Sequence, residues 1–592
     1  MSEPRPEIRR IGLGVSSGIA FGRAYLIGRD TLKAPRHHME LEDLDTEIAR
    51  LYKAIALSDK QLAKIKEKLA SENESDYHII TAHQMMLHDE HMVGAAVEYI
   101  KEDKINAEWA LRRAVDDIRG VFDSIEDPYL RERKSDVEFV FERVLRNLLG
   151  RATGPLAPPP DAVVVAYDLS PADTAQLHKA AVSGLITDAG GKTSHTAIIS
   201  RALDLPYVAG VKGLSGRIRP GTMLIVDGAR GDVVVDPSDQ LQDLYRARAA
   251  AQRRRDEQLL AEKDLPAVTT DGVAIGLSTN VESLLGVAAV AAAGADGIGL
   301  FRTEFLYLER PDLPTEEEQY RDAVSVLNAV GGRSVTFRTL DLGGDKLPLA
   351  ISMPRGPNPA LGVRSLRFSL DQPEIFRTQL RALYRASASG PMRIMLPLVT
   401  STVELQRALA ICAGVRDALT AEGIAYDKTL PIGIMIETPS AAITADLLAQ
   451  HAQFFSLGTN DLIQYSCAAD RDNADVAHLQ DPLQPAILRL LKQVIDAAVQ
   501  ARIPLSICGD MAGNPCLTWL LLGLGLRELS MEAHAIPAVK AIIRRSSMAE
   551  AQALAVKALA SPDEKATAHV IRAAMGPRFA ADFEALQPDA GG

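Results

Sequence analysis

The sequence has few cysteines, no long apolar run and no excess of positive charge. Its four cysteines, Cys412, Cys467, Cys508 and Cys516, are too few and too scattered for a disulfide framework or a CxxC metal site. No run approaches the roughly 18 uncharged apolar residues of a membrane span, and the start, MSEPRPEIRR, lacks the apolar segment of a secretion signal. A net charge of −12, from 77 acids and 65 bases, argues against nucleic acid as the main partner. We therefore expect a cytoplasmic protein.

The length of 592 residues predicts about three to five domains. Residues 31–149 contain little glycine or proline and repeat apolar residues every three or four positions, which predicts a helical bundle of about four helices. The flanking segments, 1–30 and 150–236, have apolar runs separated by turn residues and predict one α/β unit. A charged helix, without proline over most of its length, is expected over the linker 237–264, and the rest, 265–592, forms the largest domain. The fold class is thus multidomain α/β.

Eight short apolar runs alternate with helical patterns after residue 265. This repetition predicts a (β/α)₈ barrel. The runs are VAIGLSTN (273–280), DGIGLFR (296–302), SVTFRTLD (334–341), MRIMLPLV (392–399), PIGIMIET (431–438), QFFSLGT (453–459), IPLSICG (503–509) and RELSM (527–531).

Charged or amide side chains, and one thiol, lie at the end of five of the eight runs or just after them. In barrels of this type the catalytic groups stand at the carboxyl ends of the strands, so we expect these side chains to converge. They are Arg302 and Glu304, Arg338 and Asp341, Glu437, Asn460 and Asp461, and Cys508 and Asp510, with Arg364 and Arg471 in loops on the same side.

These residue types indicate an anionic substrate and a metal ion. Guanidinium groups match phosphate and carboxylate through two parallel hydrogen bonds. Glu437 and Asp461 would repel each other unless a divalent cation lay between them, and Mg²⁺ uses one or two protein carboxylates together with phosphate and water. The alternative for Glu437 alone is an ion pair with one of the arginines.

Cys508, within SICGD, allows two interpretations. An ordinary thiol, with a pKa of about 8.5, is mostly protonated at neutral pH, and nearby carboxylates and phosphate would raise its pKa further. That environment favours a general acid over a nucleophile. The alternative is a buried, inert cysteine, which is our interpretation of Cys412, Cys467 and Cys516.

A second site is predicted in the α/β unit, within AGGKTSHTAIISRALDLPYVAG (189–210). The Gly190-Gly191 turn leads into a helix whose first turn contains His195. Exposed amides and the positive end of the helix dipole suit an anion, and a neutral histidine can attack phosphorus. A capping or core histidine is the alternative, but the glycines and hydroxyls around His195 favour a phosphorylated residue.

Taken together, these segments resemble the Enzyme I family, the phosphoenolpyruvate–protein phosphotransferases that start the bacterial phosphotransferase cascade. The resemblance covers essentially the whole chain. It is carried, in order, by GGKTSHTAIISR, GLFRTEF, FRTLDLGGDK, NPALGVRSLR, IMIETP, FFSLGTNDLIQY, AADR and ICGDMAG. It implies transfer of the phosphoryl group of phosphoenolpyruvate to His195 and then to a histidine of an HPr-type phosphocarrier, with release of pyruvate, as the first step of sugar phosphotransfer.

The resemblance also implies a role for each candidate residue. His195 carries the phosphoryl group, Thr174 holds its ring, and Cys508 protonates the enolate of pyruvate. Asp510 supports Cys508, although many relatives have glutamate there. Six residues bind phosphoenolpyruvate: Arg302, Arg338, Arg364, Asn460, Arg471 and Lys346. Two carboxylates hold Mg²⁺: Glu437 and Asp461.

Domain roles follow from the same resemblance. Residues 31–149 become the docking domain for the carrier, and eight acids against one base within 71–103 suit a basic partner. Residues 1–30 and 150–236 become a swivelling phosphohistidine domain, because His195 must reach the barrel and leave it again. The barrel domain, 265–592, binds phosphoenolpyruvate and forms a homodimer.

Three alternative functions make different demands on the sequence. An ATP-dependent phosphoenolpyruvate synthase or dikinase would need a large ATP-binding domain before His195, and the sequence contains no P-loop, GxxxxGK[ST]. A protein that carries phosphate only as a signal would lack site residues that are present here. A nitrogen-related branch with a paralogous carrier stays open, but its members usually have an extra N-terminal sensory domain, so we expect the sugar branch.

Overall fold

The computed structural model describes residues 8–27, 34–69, 83–124, 137, 140–150, 158–169, 177, 181–191, 195–202, 205–307, 312–342, 358–471, 473 and 476–580. The chain divides into two compact units, one within Met1–Gln252 and the other within Arg253–Ala585. No helix in the described ranges is long and apolar enough to cross a membrane.

An eight-stranded mixed sheet organises the first unit. Its strands are β1 (Ile8–Ile11), β2 (Leu13–Ser16), β3 (Ile19–Ile27), β4 (Val163–Ala166), β5 (Gly184–Thr187), β6 (Tyr207–Ala209), β7 (Met223–Asp227) and β8 (Asp232–Val235). They lie in the order β1-β8-β7-β3-β4-β5-β6-β2. Neighbours from β3 to β6 are parallel and the other pairs are antiparallel. Because β3 pairs with β4, the helical segment between them in the chain starts and ends at neighbouring strands.

The helical segment has an apolar core of its own. It contains α1 (Leu44–Leu69), α2 (Glu90–Glu102) and α3 (Ala107–Ser124), and residues 83–87 and 140–148 are also helical. Leu51, Ile55 and Leu62 of α1 recur at helical spacing and are buried against Ile100 of α2 and Leu111 of α3.

Two further helices are present in the described residues of the first part of the chain. Helix α4 (His195–Ala202) begins four residues after the Gly190-Gly191 turn. Helix α5 (Asp239–Ala261) matches the predicted charged linker helix, and Tyr245 is its only buried residue. Tyr245 packs against Ile225 and Val234 of the sheet, so α5 is fixed to the sheet near its first turns.

The second unit contains a closed barrel of eight parallel strands, which confirms the predicted fold. The strands are β9 (Gly276–Val281), β10 (Gly297–Arg302), β11 (Ser334–Arg338), β12 (Met392–Leu396), β13 (Ile432–Ile436), β14 (Phe455–Leu457), β15 (Leu505–Ile507) and β16 (Glu528–Met531). Strand β16 pairs with β9 and closes the barrel. Seven strands lie within the predicted runs, and β9 extends one residue beyond its run, to Val281.

Helices surround this barrel. They are α6 (Ala288–Ala292), α7 (Glu316–Ala329), α8 (Ser365–Asp371), α9 (Pro373–Ala386), α10 (Thr402–Ala421), α11 (Pro439–Ile443), α12 (Ala445–Leu448), α13 (Thr459–Cys467), α14 (Pro485–Ala501), α15 (Asp510–Gly513), α16 (Thr518–Leu524), α17 (Ile536–Arg544), α18 (Met548–Leu559) and α19 (Glu564–Met575). Several begin at recognisable signals. Thr315 and Glu318 form a capping box at α7, and Pro373 occupies the first turn of α9. Because all eight strands are parallel, their carboxyl ends meet at one mouth.

Candidate active site

The barrel mouth carries the charged residues that the sequence analysis placed there. Arg302 and Arg338 are the last residues of β10 and β11, and Glu437 follows β13 directly. Asp461 lies in the first turn of α13, just after β14, and Cys508 follows β15. The side chains that the sequence scatters over more than 200 positions are therefore gathered at one end of the barrel.

Arginines and carboxylates alternate across this mouth. Arg338 donates from Nη2 to Glu304 Oε1 at 2.8 Å, and its Nη1 lies 2.9 Å from Asp341 Oδ2. Arg364 Nη2 lies 3.0 Å from Asp341 Oδ1 and 3.3 Å from Asp461 Oδ2. Each of these two arginines thus contacts two carboxylates, and Asp341 is shared between them.

Burial and charge together set the ionisation of these groups. Burial alone would raise the pKa of Asp341, but Arg338 and Arg364 outweigh it and hold that pKa at about 2. Burial, aided by repulsion from Asp341, raises the pKa of Glu304 despite Arg338. The carboxylates raise the pKa of both arginines above the usual value, although burial opposes this. Asp341 and the two arginines therefore stay charged at neutral pH.

Glu437 and Asp461 form a buried carboxylate pair. Glu437 is 2% exposed and accepts a 2.6 Å hydrogen bond from the Leu398 amide. Burial and repulsion from Asp461 and Asp341 raise the pKa of Glu437 to about 8. Asp461 Oδ1 is buried and accepts no hydrogen bond, although Arg471 Nη1 forms an ion pair with it at 3.4 Å.

This pair fits a divalent cation. Two hard carboxylates that repel each other, one with an oxygen that lacks a hydrogen bond, are the donors that such an ion would bind and stabilise. Within the described ranges no group of three or more His, Cys, Asp or Glu side chains is arranged to hold a metal. Cations such as Mg²⁺ commonly use one or two protein carboxylates and complete their coordination with substrate oxygens and water.

The thiol of Cys508 lies inside the mouth. Ser456 Oγ donates to its sulfur at 3.3 Å, and the thiol donates to the Leu457 carbonyl oxygen at 3.5 Å. Burial, with the nearby Glu437 carboxylate, raises the pKa of Cys508 to about 11, although the Ser456 hydrogen bond and the arginines lower it in part. The thiol is thus protonated at neutral pH, as its predicted role requires. All four cysteines are free thiols, and Cys467 and Cys516 are only partly buried, not buried as expected.

The outer residues of the mouth are paired in a different way. Arg302 forms a close ion pair with Glu282, whose side chain is 34% exposed. Asn460 Nδ2 donates to Asp510 Oδ1 at 3.0 Å, and the Asp510 amide donates to Asn460 Oδ1 at 2.9 Å. Asp510 is therefore bound to a substrate-binding candidate, and the described contacts do not include one between its carboxylate and the Cys508 thiol.

Several residues of the mouth were not predicted from the sequence, and three of them contact Cys508 or Arg302. Asn280, the next-to-last residue of β9, donates to the Cys508 carbonyl oxygen at 2.9 Å and accepts from Ser530 at 2.7 Å. Glu282 and Ser456 are the other two. Asn280 ends the first apolar run, so the rule that found the other strand ends could have found it. Ser456 carried only a weak signal, a single hydroxyl inside an apolar strand.

The second predicted site is described in part. His195 is the first residue of α4, and the side chains of residues 192–195 lie outside the described part of the structure. Gly190 has a φ of +97°, which favours glycine, and a Cβ there would lie 3.2 Å from Tyr207 Oη. The glycine thus permits the turn that precedes α4. Thr174 and Lys346 lie outside the described residues.

Comparisons with known proteins agree over most of the chain. Three family models match in order: PEP-utilising enzyme, N-terminal, over residues 11–133; PEP-utilising enzyme, mobile domain, over 158–231; and PEP-utilising enzyme, PEP-binding domain, over 256–548. The phosphoenolpyruvate-protein phosphotransferase of Cupriavidus necator is 40% identical over 574 residues, which cover 94% of this chain and 98% of the relative. The chain belongs to the phosphoenolpyruvate-protein phosphotransferases.

Other phosphoenolpyruvate-protein phosphotransferases match at a similar level. The one from Geobacillus stearothermophilus is 41% identical over 545 residues, covering 91% of this chain and 93% of the relative. The NMR solution structure of an Enzyme I protein (nEIt) is 32% identical, with a TM-score of 0.36, and covers 41% of this chain and 99% of that chain.

Membership in the phosphoenolpyruvate-protein phosphotransferases confirms the family and the enzyme class predicted from the sequence motifs. Enzymes of the PEP-utilising family use a divalent metal, and the chemistry of the Glu437–Asp461 pair fits such an ion. The roles of individual residues and the domain boundaries remain predictions.

Proposed function

We propose that His195 takes the phosphoryl group of phosphoenolpyruvate and passes it to a histidine of an HPr-type phosphocarrier, while pyruvate is released. This is the first step of sugar phosphotransfer. The observation that carries the proposal is the barrel mouth, where several arginines, a buried carboxylate pair and a protonated thiol lie together. Such a site binds a small dianion or trianion and supplies a proton to its product.

The arginines bind the substrate. Arg302, Arg338, Arg364 and Arg471 present guanidinium groups that fit the phosphate and the carboxylate of phosphoenolpyruvate, with Asn460 and Lys346 as further donors. Arg302 and Arg471 are 35% and 42% exposed and are accessible from solvent, whereas Arg338 and Arg364 are held deeper in the mouth. Catalysis then relies on positioning and on charge stabilisation.

The metal of the site is Mg²⁺ in this proposal. Glu437 and Asp461 would hold it, and it would neutralise charge on the phosphate oxygens and the developing enolate. The buried carboxylates supply negative charge in a dry environment, which favours a cation with few protein ligands.

The thiol of Cys508 donates the proton that converts the enolate to pyruvate in this proposal. A ring nitrogen of His195 forms a bond to phosphorus, the bond from phosphorus to the enol oxygen breaks, and its electron pair remains on the departing enolate. The enolate then takes the thiol proton at its methylene carbon and becomes pyruvate. Because the pKa of Cys508 is raised to about 11, the thiolate that remains regains a proton from water at neutral pH.

The carrier docks on the helical segment in this proposal. Glu98, Glu102 and Asp103 are exposed in the described part of the acidic window, and they would attract a basic surface. The phosphohistidine domain swivels between barrel and carrier, since His195 serves both. Dimerisation through the barrel and a cytoplasmic location complete the proposal.

Labelling with radioactive phosphoenolpyruvate tests the proposal. The enzyme with Mg²⁺ should acquire a label that is lost in acid and stable in base, and His195→Ala should acquire none. His569→Ala is the matched control, because His569 is exposed on α19 and should not change the labelling. Label that persists in His195→Ala would disprove the assignment.

The acceptor is tested with the labelled enzyme. It should transfer its label to the HPr-type carrier of the sugar system of the same organism. Transfer only to a nitrogen-type carrier would place the enzyme in that branch, and exchange of phosphate with ATP would contradict the proposed donor.

A further inference from the structure

The carboxylate of Asp341 joins two arginines that come from different elements. Its Oδ2 lies 2.9 Å from Arg338 Nη1, and its Oδ1 lies 3.0 Å from Arg364 Nη2. Arg338 ends strand β11, whereas Arg364 is the residue that precedes helix α8. We propose that Asp341 is a positioning residue that sets the spacing of the Arg338 and Arg364 guanidinium groups for the phosphate and carboxylate of phosphoenolpyruvate. This inference rests on the proposed function.

Asp341 is itself held in place by its neighbours. Its backbone amide donates to Glu304 Oε1 at 3.0 Å, and Glu304 also binds Arg338. The hydroxyl of Ser365 donates a close hydrogen bond to Asp341 Oδ1. The carboxylate therefore has a defined orientation before any substrate arrives, as a positioning group requires.

The backbone at Ser365 supports the same conclusion. Ser365 is fully buried and has a φ of +53°, an uncommon conformation for a residue other than glycine. Its amide donates to the Leu342 carbonyl oxygen at 2.9 Å. This turn brings the Ser365 hydroxyl to Asp341 and places the adjacent Arg364 at the mouth, and such a conformation persists only where several contacts enforce it.

Exposure distinguishes a positioning carboxylate from one that an incoming anion displaces. The Asp341 side chain is 6% exposed, and those of Arg338 and Arg364 are 11% and 15% exposed. In the Glu282–Arg302 pair, both side chains are about one-third exposed. Water can reach Glu282, whereas the Asp341 carboxylate is almost fully buried and paired with both of its arginines. Each guanidinium has five N–H groups, so both arginines keep donors for the substrate.

The charges lead to the same assignment. Without the Asp341 carboxylate, the Arg338 and Arg364 guanidinium groups would lose the negative charge that they share, and each would keep only its second carboxylate, Glu304 or Asp461. The two guanidinium groups would move apart, and the substrate would have to draw them together at the expense of its binding energy. A carboxylate that competed with phosphate would have the opposite effect, because its removal would strengthen substrate binding.

Asp341→Asn tests the proposal, because asparagine keeps the size and removes the charge. With full-length enzyme and Mg²⁺, we expect kcat/KM for phosphoenolpyruvate to fall about 10- to 100-fold, mainly through a higher KM. In an Arg364→Ala background the same substitution should cost at least threefold less, because part of its action passes through Arg364. An unchanged or lower KM, or an equal loss in both backgrounds, would overturn the proposal.

Two further variants complete the test. Asp271→Asn is the matched control, since Asp271 binds Thr269 and the Met548 amide away from the mouth, and its KM should match the wild type. Ser365→Ala keeps every charge and removes only the hydroxyl that orients Asp341, so it also serves if Asp341→Asn fails to fold. We expect its KM to rise about threefold, and no rise would contradict the proposal. Absence of labelling in the wild type would instead refute the proposed function.

Discussion

Gly458 lies between β14 and α13. Because it has no side chain, the carboxylate of Glu437, one of the two proposed metal ligands, can lie close to its backbone. Its φ of −91° suits other residues, so Gly458→Ala adds only a methyl group. That Cβ would lie 2.8 Å from Glu437 Oε2 and 2.9 Å from Met435 Sδ, well below ordinary contact distance. Either Glu437 must turn away or α13, which carries Asp461, must shift. Overpacking of this kind costs about 1–3 kcal/mol. If the metal-bound arrangement of Glu437 and Asp461 bears this cost, metal affinity falls by about 5- to 150-fold.

Titration of the metal-free enzyme with Mn²⁺, followed by electron paramagnetic resonance, measures this loss without turnover. Gly276→Ala is the matched control, because its Cβ would meet its nearest neighbour, the Glu528 side chain, at 3.5 Å. The control should bind Mn²⁺ like the wild type, and thermal melting should show that both variants fold. If Gly458→Ala binds Mn²⁺ with unchanged affinity, Glu437 and Asp461 do not form the metal site.

Three further predictions concern buried groups. In metal-free enzyme the raised pKa of Glu437, about 8 against 4.5, stabilises the fold at low pH, and this contribution is lost as pH rises through 8. The melting temperature should fall from pH 6 to pH 8, and less so in Glu437→Gln; an equal fall would contradict the assignment. Ser456→Ala should move the half-maximal pH for alkylation of Cys508 above about 11, because a hydrogen bond that lowers the thiol pKa is lost. An unchanged midpoint would exclude that role. Lys540 is 4% exposed and donates to two backbone carbonyl oxygens. Because Lys540→Met leaves both oxygens without a donor, it should lower the free energy of unfolding, measured in urea, by about 1–3 kcal/mol. A loss below about 0.5 kcal/mol would contradict this prediction.

The pattern of apolar runs was sufficient to predict the barrel. Parallel strands buried on both sides appear as short continuous apolar runs, and eight of them alternating with helices leave few other folds. The same rule placed Arg302, Arg338 and Cys508 correctly at the mouth, because each of them is the last residue of a strand or the residue directly after one. The predicted runs exceeded several strands, as in 334–341 against Ser334–Arg338, because polar site residues continue the chain beyond the last ladder hydrogen bond.

The sequence by itself determined which residue types reach the mouth, because a parallel barrel brings all strand ends to the same face. Only the tertiary structure decided which of them are partners. Asp341 binds Arg338 and Arg364, Ser456 binds Cys508, and Asp510 binds Asn460 and not the thiol. These pairings depend on the angular order of the strands, on side-chain rotamers and on burial, none of which is encoded in local periodicity. Burial likewise set the ionisation of Glu437 and Cys508, since the cost of a buried charge depends on neighbours that lie far away in the chain.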